Sequence, residues 1–542
     1  MLAGCTPWPE DFVRRYREAG LWLDTPLGEL PRQWAREYGT ATAVVSGQQR
    51  LSYVELDAGI DRLAGGLAGY GITRGDRVVV QLTNESAFLT VCFALFRLGA
   101  MPVFSLPAHR DVEVTHLIET SGAIAYVIPD VRLGYDYREL ASRVVTPQRT
   151  VRTVFVAGEA GEHTGFVPLS AVDAEPGVLP EIDAQEVVFF LLSGGTTGLP
   201  KLIPRTHADY FYQLRSAAKL CELDRDTVYL AVLPLEFNYC LGCPGVLGTL
   251  HRGGRVVLAP SPSPDGCLPL IERERVTMTS LVPTIAHAWV EAREWSREDL
   301  SSLRVVQIGS AKLHESLARK ITPVLGCRLQ QAFGMSEGLM SYVRPGDPED
   351  TVLHTQGQPL SEFDELRVVD PATGQDVPRG ELGELWTRGP YTIRGYYNAP
   401  EHNATAFTED GFYRSGDLIW QTERGDMVVA GRIKDVINRG GDKVSATEVE
   451  GYLELEPGIR QAAVVAMPDE VLGEKICAFV VADGQPPTRI QLRTSWRAKG
   501  IADFKIPDRV EVVDALPVTG LGKVDKNRLR ADIAARPRQE VG

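Results

Sequence analysis

Through the first 400 or so residues, short apolar runs rich in β-formers alternate with amphipathic stretches at helical spacing. Residues 77–82 (Arg-Val-Val-Val-Gln-Leu), 187–192 (Val-Val-Phe-Phe-Leu-Leu) and 255–258 (Arg-Val-Val-Leu) predict buried strands. Strands alternating with helices imply an α/β architecture with largely parallel sheets. The longest strongly apolar run, Ala87–Phe96, stops at Arg97. That is well short of the roughly 18 residues of a membrane span and predicts a buried helix. No period of 20 to 50 residues repeats, which argues against a solenoid. From Gly431 the texture changes to a Gly-Arg turn, a charged stretch, and two strand-like runs at 461–466 and 475–481. The boundary therefore falls between Arg432 and Lys434, giving a large N-terminal domain of several subdomains (1–432) and a small α+β C-terminal domain (433–542).

Composition narrows the functional classes. With 542 residues the chain is too long for a single small binding module, and 44% apolar with 24% charged residues is ordinary for a folded protein. The formal net charge of −14 gives no general attraction to nucleic acid or to an anionic membrane, so any phosphate must be held locally. Eight cysteines without regular spacing suit reduced thiols in a cytoplasm. The string Leu2-Ala3-Gly4-Cys5 resembles a lipoprotein cleavage site, but no apolar stretch precedes it and Asp11, Arg14 and Arg15 follow, which reads as an accidental match. Cys240 and Cys243 form a CxxC without a second pair, which predicts pocket lining rather than redox or metal chemistry. The nine histidines are scattered, and His207 and His287 are expected to be structural or solvent-facing rather than ligands.

The most specific string runs from Phe190 to Lys201, Phe-Leu-Leu-Ser-Gly-Gly-Thr-Thr-Gly-Leu-Pro-Lys. It predicts a buried strand entering a loop of small residues that closes on a lysine. Glycines at 194, 195 and 198 let backbone N–H groups approach an anion, Ser193, Thr196 and Thr197 add hydroxyls, and Lys201 adds a positive charge. Phosphate is the natural guest. The string is not a Walker A loop, because its lysine follows proline and no Ser or Thr comes next.

This loop resembles the phosphate loop of the adenylate-forming superfamily of acyl-CoA synthetases, peptide synthetase adenylation domains and luciferases. Further segments resemble that superfamily in the same order. Gln330–Glu337 is similar to the stretch in which the pair Phe333-Gly334 would flank adenine, with Gln331, Ala332 and Met335 also at the nucleotide, Ser336 would contact phosphate and Glu337 would bind magnesium. Upstream, Gly309 and Ser310 would border the nucleotide. Tyr413–Asp417 resembles the segment whose aspartate holds both ribose hydroxyls, a task suited to a carboxylate that accepts two hydrogen bonds. Gly431–Lys443 resembles the family hinge, with Arg432 directed at ribose and phosphate and Lys434 at the pivot. Leu516–Lys526 resembles the C-terminal segment that delivers a catalytic lysine, here Lys523.

The implied chemistry is the attack of a carboxylate on the α-phosphate of ATP. Two anions must meet, so cations and oriented donors lower the barrier: Lys523, Lys201, the glycine loop and magnesium on Glu337. The product would be an acyl adenylate and pyrophosphate, after which a thiol takes the acyl group. The resemblance further implies that the small domain adopts two orientations, one per half reaction.

Over the whole chain the resemblance is closest to stand-alone aryl acid adenylating enzymes of the 2,3-dihydroxybenzoate and salicylate type, through Trp8–Arg17, Arg388–Tyr391 and Ile437–Gly441. In 233–245, Asn238 and Tyr239 match the pair lining the aryl pocket, with the asparagine hydrogen-bonding a 2-hydroxyl. Cys243 sits where dihydroxybenzoate enzymes typically carry serine and salicylate enzymes cysteine, and a thiol is a poor partner for a second phenol. Phe237 replaces a histidine of the dihydroxybenzoate enzymes, Ser310 a usual glycine beside Ala311, and Ala332 with Met340 what are commonly two valines. Lys312 follows. A reshaped pocket admits substituted or heteroaromatic acids such as an aminobenzoate, a hydroxypicolinate or a hydroxyquinoline acid. The expected substrate is an ortho-hydroxy or ortho-amino aryl acid. The expected acceptor is the phosphopantetheine thiol of a separate carrier protein in siderophore or peptide antibiotic assembly. An aryl-CoA ligase is the alternative, and a catalytically silent nucleotide-binding scaffold a third reading.

Overall fold

The computed structural model describes residues 2–132, 134–175, 177–193, 199–439, 442–469, 472–499 and 501–535. Two large sheets dominate the N-terminal part. One has seven strands in the spatial order Leu202–Thr206, Val187–Leu192, Met101–Phe104, Arg77–Val80, Ala125–Pro129, Thr153–Ala157 and Phe166–Pro168. All neighbours pair in parallel except the first two. The other has nine strands, with a parallel centre running from Thr42–Ser46 to Arg328–Gly334 and antiparallel strands added at both edges. Strands buried on both faces account for the continuous apolar runs in the sequence.

The apolar run after residue 86 forms the helix Ser86–Leu98, in which Phe88 and the ten-residue stretch 89–98, apart from Thr90, are buried. Arg97 is buried with it and is neutralised by Asp57 and Asp61, with Nε donating to the Gly28 carbonyl at 3.0 Å. No helix among the described residues is long and apolar enough to cross a membrane.

The parallel pattern does not extend to residue 432. Glu365–Val369, Gly383–Arg388, Tyr413–Gln421 and Met427–Arg432 form a separate four-stranded sheet that is wholly antiparallel. The last two strands are joined by residues 422–426 alone, too short for the crossover that parallel pairing needs. A 3₁₀ turn, Ile433–Asp435, then leads into a five-stranded sheet beginning at Val436, packed with the helices Ala446–Glu454, Arg489–Ala498 and Lys526–Ala535. This smaller α+β unit has a core on each face of its sheet, one around Trp496 and Leu453, the other around Phe479 and Leu529. It rests on the larger part through the Ser445 hydroxyl, which donates to the Ala430 carbonyl at 3.1 Å, and the Thr284 hydroxyl, which donates to the Gly522 carbonyl at 2.6 Å.

Candidate active site

A cavity of about 1210 Å³ lies where the smaller unit meets the larger one. Its wall gathers side chains from sequence positions hundreds of residues apart: Ser193, Lys201, Phe237, Asn238, Tyr239, Cys243, Ser310, Ala311, Ala332, Phe333, Gly334, Met335, Ser336, Glu337, Met340, Asp417, Arg432, Lys434 and Lys523. The loop residues Gly194, Gly195, Thr196, Thr197 and Gly198 lie outside the described residues.

The neck of that loop is closed by a reciprocal pair. The Ser193 N–H donates to the Lys201 carbonyl and the Lys201 N–H donates to Ser193 Oγ, both at 3.0 Å. Lys201 extends over the ring of Tyr396, its Nζ 5.9 Å from the ring centroid. The Tyr396 hydroxyl donates to Glu337 Oε1 at 2.7 Å and meets the Tyr413 hydroxyl at 3.0 Å. Glu337 is thus oriented through one oxygen, leaving Oε2 as a hard oxygen donor at the cavity wall. A single carboxylate of this kind suits magnesium, which keeps several of its waters and is shared with phosphate. The residue after Glu337 is glycine because the backbone of Thr392 passes so close that a Cβ there would sit 2.5 Å from the Thr392 Cα.

Asp417 and Arg432 are opposed across the last two strands of the antiparallel sheet, so strand register alone brings them together. Arg432 Nε lies 2.9 Å from Asp417 Oδ1, and its Nη2 donates to the Ser415 carbonyl at 3.0 Å. Burial pushes the Asp417 carboxyl up while Arg432 pulls it back, and Asp417 in turn holds Arg432 above its usual range. From the other side comes Lys523, on a turn in which the Gly522 N–H donates to the Thr519 carbonyl and the Thr519 N–H to the Lys523 carbonyl. Gly522 has φ +75°, a conformation that a side chain would strain. Lys523 Nζ lies 5.7 Å from the centroid of the Phe237 ring. Burial, then the nearby Arg432, lowers the Lys523 ammonium to about 8. Lys434, in the 3₁₀ turn, is also lowered, by burial and then by Arg432.

The same cavity is also lined by Asn238, Tyr239, Cys243, Ala311, Ala332 and Met340. The antiparallel pairing of Arg328–Gly334 with Met340–Tyr342 sets Gly334 opposite Met340, and the missing Cβ of Gly334 is filled by the Met340 thioether. Gly309 serves similarly: a Cβ there would lie 3.1 Å from the Tyr239 hydroxyl. Ser310 adopts φ +70°, a left-handed conformation that glycine would occupy without strain.

Two of the expected nucleotide-binding residues, Gly309 and Gln331, are not on the cavity wall. The Gln331 amide donates to the Val352 and Leu353 carbonyls at 2.8 and 3.0 Å and accepts from Gln356, so its side chain closes a helix end. Of the CxxC pair only Cys243 reaches the cavity; Cys240 is buried in the core beside Tyr229. His207 is structural, its Nδ1 accepting from the Leu27 N–H at 3.0 Å. His287, by contrast, is on the cavity wall. Sequence reasoning missed Tyr396 and the polar side chains of the helix His207–Leu220, of which Asp209 and Gln213 are fully buried. Their signal was present, since buried polar groups one helical turn apart on an apolar face must have partners.

Known proteins resemble this chain over almost its whole length. A sequence model of AMP-binding enzymes covers residues 31–397, and one of the AMP-binding enzyme C-terminal domain covers 448–523. The chain is 52% identical to a 2,3-dihydroxybenzoate-AMP ligase of Bacillus subtilis, over 99% of both chains. It is 49% identical to triostin synthetase I of Streptomyces triostinicus, over 98% of this chain and 99% of the relative. Among solved structures, apo MbtA of Mycobacterium smegmatis is 44% identical and superposes with a TM-score of 0.76, covering 98% of this chain and 99% of that one.

Proposed function

The chain belongs to the AMP-binding enzyme family, an adenylate-forming ligase, and on that premise we propose that it activates an ortho-substituted aromatic or heteroaromatic carboxylic acid as its adenylate and passes the acyl group to a phosphopantetheine thiol. The observation that carries the reading is the meeting, in one cavity, of Lys201, Glu337, Asp417, Arg432 and Lys523 with the pocket of Asn238, Cys243, Ala332 and Met340.

In this reading Asp417 accepts hydrogen bonds from the ribose hydroxyls, while Arg432, already paired with it, faces the ribose and phosphates. Phe333, Gly334 and Met335 border adenine. Glu337 holds magnesium, which neutralises phosphate charge when bound. Lys523 lies between the aryl pocket and the nucleotide end, where the carboxylate and the α-phosphate oxygens converge, and Lys201 meets the leaving phosphates. A cation there offsets the repulsion between the two anions, and its partial desolvation strengthens that effect. The acyl adenylate hydrolyses if water enters, so the loop carrying Lys523 also serves by covering the site. For the second half reaction the small unit turns about Lys434, carrying Lys523 out and admitting the thiol.

The relative named as a 2,3-dihydroxybenzoate-AMP ligase supports an aryl acid substrate, and the one named triostin synthetase I supports a place in natural product assembly. The test is ATP–pyrophosphate exchange over salicylate, 2,3-dihydroxybenzoate, anthranilate, 3-hydroxyanthranilate, 3-hydroxypicolinate and 3-hydroxyquinaldate, with benzoate and a fatty acid as controls. Stimulation by an ortho-substituted acid is expected. Exchange with none of them, from folded protein with ATP and magnesium, refutes the substrate class. Product mass with CoA against a holo-carrier protein identifies the thiol.

A further inference from the structure

Asn238 faces the aryl pocket with an amide that has two ends of opposite hydrogen-bonding character, and which end it presents decides what the pocket can bind. The answer lies behind the pocket wall, in a chain of buried groups that begins at an arginine. Arg205, Asp209, Tyr210, Gln213 and Asn238 are each no more than 3% exposed. Arg205 Nε donates to Asp209 Oδ1 at 2.8 Å, and Asp209 Oδ2 accepts from the Thr206 N–H and hydroxyl at 2.8 and 2.9 Å, so the ion pair is satisfied and fixed. Arg205 Nη2 then donates to Gln213 Oε1 at 2.9 Å.

A guanidinium has donors and no acceptor, so the oxygen of Gln213 must face it. The other end of Gln213 is then its NH₂, which points to the Gly242 carbonyl at 3.2 Å, to Asn238 Oδ1 at 3.2 Å and to Cys243 Sγ at 3.3 Å. Turning the Gln213 amide over would set NH₂ against guanidinium and oxygen against the Gly242 carbonyl, two buried mismatches at once. Its orientation is therefore determined at both ends. Because Gln213 donates, Asn238 must offer Oδ1 to it, and the Tyr210 hydroxyl donates to the same oxygen at 2.9 Å. The acceptor of Asn238 is occupied from behind, and what remains for the pocket is Nδ2, a donor.

Resting on the aryl acid reading above, we propose that Arg205 and Gln213 are positioning residues that set the hydrogen-bond polarity of the pocket through Asn238, so that this enzyme selects aryl acids with an outward-facing acceptor at the ortho position, such as a hydroxyl, and discriminates against an ortho amino group. The chemistry of the two acids supplies the contrast. In an ortho-hydroxy acid the phenolic proton is held by the adjacent carboxylate, and the oxygen turns its lone pairs outward. In an ortho-amino acid one N–H is held by the carboxylate, the nitrogen lone pair is delocalised into the ring, and the second N–H points outward. That N–H would meet the Asn238 NH₂, donor against donor. A site built to hydrogen-bond one group rejects an analogue that cannot answer it far more strongly than an apolar pocket rejects an extra methylene.

The experiment compares kcat/KM in ATP–pyrophosphate exchange for a matched ortho-hydroxy and ortho-amino pair, salicylate and anthranilate or the corresponding pair on the best ring of the panel. It uses the full-length wild type, Gln213→Met and Gln213→Glu. The ratio is read on one preparation, so the fraction of folded enzyme cancels. In the wild type the hydroxy acid is expected to be favoured by roughly tenfold or more. Gln213→Met removes the relay but keeps the length of the side chain; Asn238 is then free to turn, and the ratio should fall by about tenfold, toward one. Gln213→Glu keeps a partner for Arg205 but offers Asn238 an acceptor, which turns Oδ1 to the pocket and should move the preference toward the amino acid. A wild type that takes the amino acid as readily as the hydroxy acid overturns the assignment without any variant. A wild-type ratio retained in Gln213→Met overturns the relay while leaving the aryl acid reading intact. Exchange with no aryl acid at all overturns that reading, and this assignment with it.

Discussion

Replacing Lys523 by alanine removes a cation that the smaller unit delivers to a site whose other groups come largely from the larger part. Lys523 shares the cavity with Glu337, Asp417 and Arg432 and is shielded enough that its ammonium is lowered to about 8. In such a partly desolvated setting, with an effective dielectric constant of ~20, a unit charge about 4 Å from a developing phosphoryl oxygen contributes about 4 kcal/mol. That corresponds to roughly a thousandfold in rate. Lys523→Ala should therefore slow ATP–pyrophosphate exchange by about 10³-fold, while a chemically prepared acyl adenylate is still transferred to the thiol. The pH dependence supplies a second check. The ammonium form is the active one and its pKa is depressed, so kcat/KM for exchange should decline as pH rises through about 8. With ATP bound, its phosphates favour the charged form, and the limb in kcat should lie higher. A loss under tenfold in Lys523→Ala, or a wild-type kcat/KM flat to pH 10, would refute the role of this charge.

Asp417→Ala removes both the diol acceptor and the partner of Arg432 at 2.9 Å; KM for ATP should rise by roughly 10- to 100-fold with a smaller change in KM for the acid, measured by exchange at varied ATP. Gly334→Ala places a methyl where the Met340 thioether now lies, and because that thioether is the end of a flexible chain it should move into the pocket rather than unfold the strand. KM for the aryl acid should then rise about tenfold, with the thermal midpoint nearly unchanged. Ser310→Gly relieves a left-handed residue at φ +70° and should stabilise the protein by about 0.5 kcal/mol, the relief of roughly 1 kcal/mol being partly offset by the entropy of an added glycine, as read by denaturant unfolding.

The order of elements was legible along the chain wherever burial on both faces wrote an uninterrupted apolar run, as at 77–80, 187–192 and 255–258. Near Arg432 the strand Met427–Arg432 closes one sheet and Val436 opens another. The four-stranded antiparallel sheet was not anticipated: the short connection 422–426 dictates antiparallel pairing for its last two strands, but which other strands join them is set by packing. Lys201, Glu337, Asp417 and Lys523, which the structure gathers on one cavity wall, could be singled out because their loops combine residue types that have little other reason to occur together. Gln331 lies off the cavity wall because its amide is drawn to the Val352 and Leu353 carbonyls, partners that no local pattern announces.

What the sequence by itself determined is therefore the inventory: an α/β body, a smaller α+β unit, a glycine-rich string, and a set of carboxylates and cations in a fixed order. What only the tertiary structure decided is their relations. The pairing of Asp417 with Arg432 follows from strand register, the orientation of Glu337 from Tyr396 arriving 59 residues later in the chain, and the polarity of Asn238 from Arg205 and Gln213 behind the pocket wall. The reason is physical. Local pattern reports burial and backbone preference, which depend on near neighbours, whereas the direction of a hydrogen bond depends on which group occupies the other end, and in a folded chain that group is set by packing.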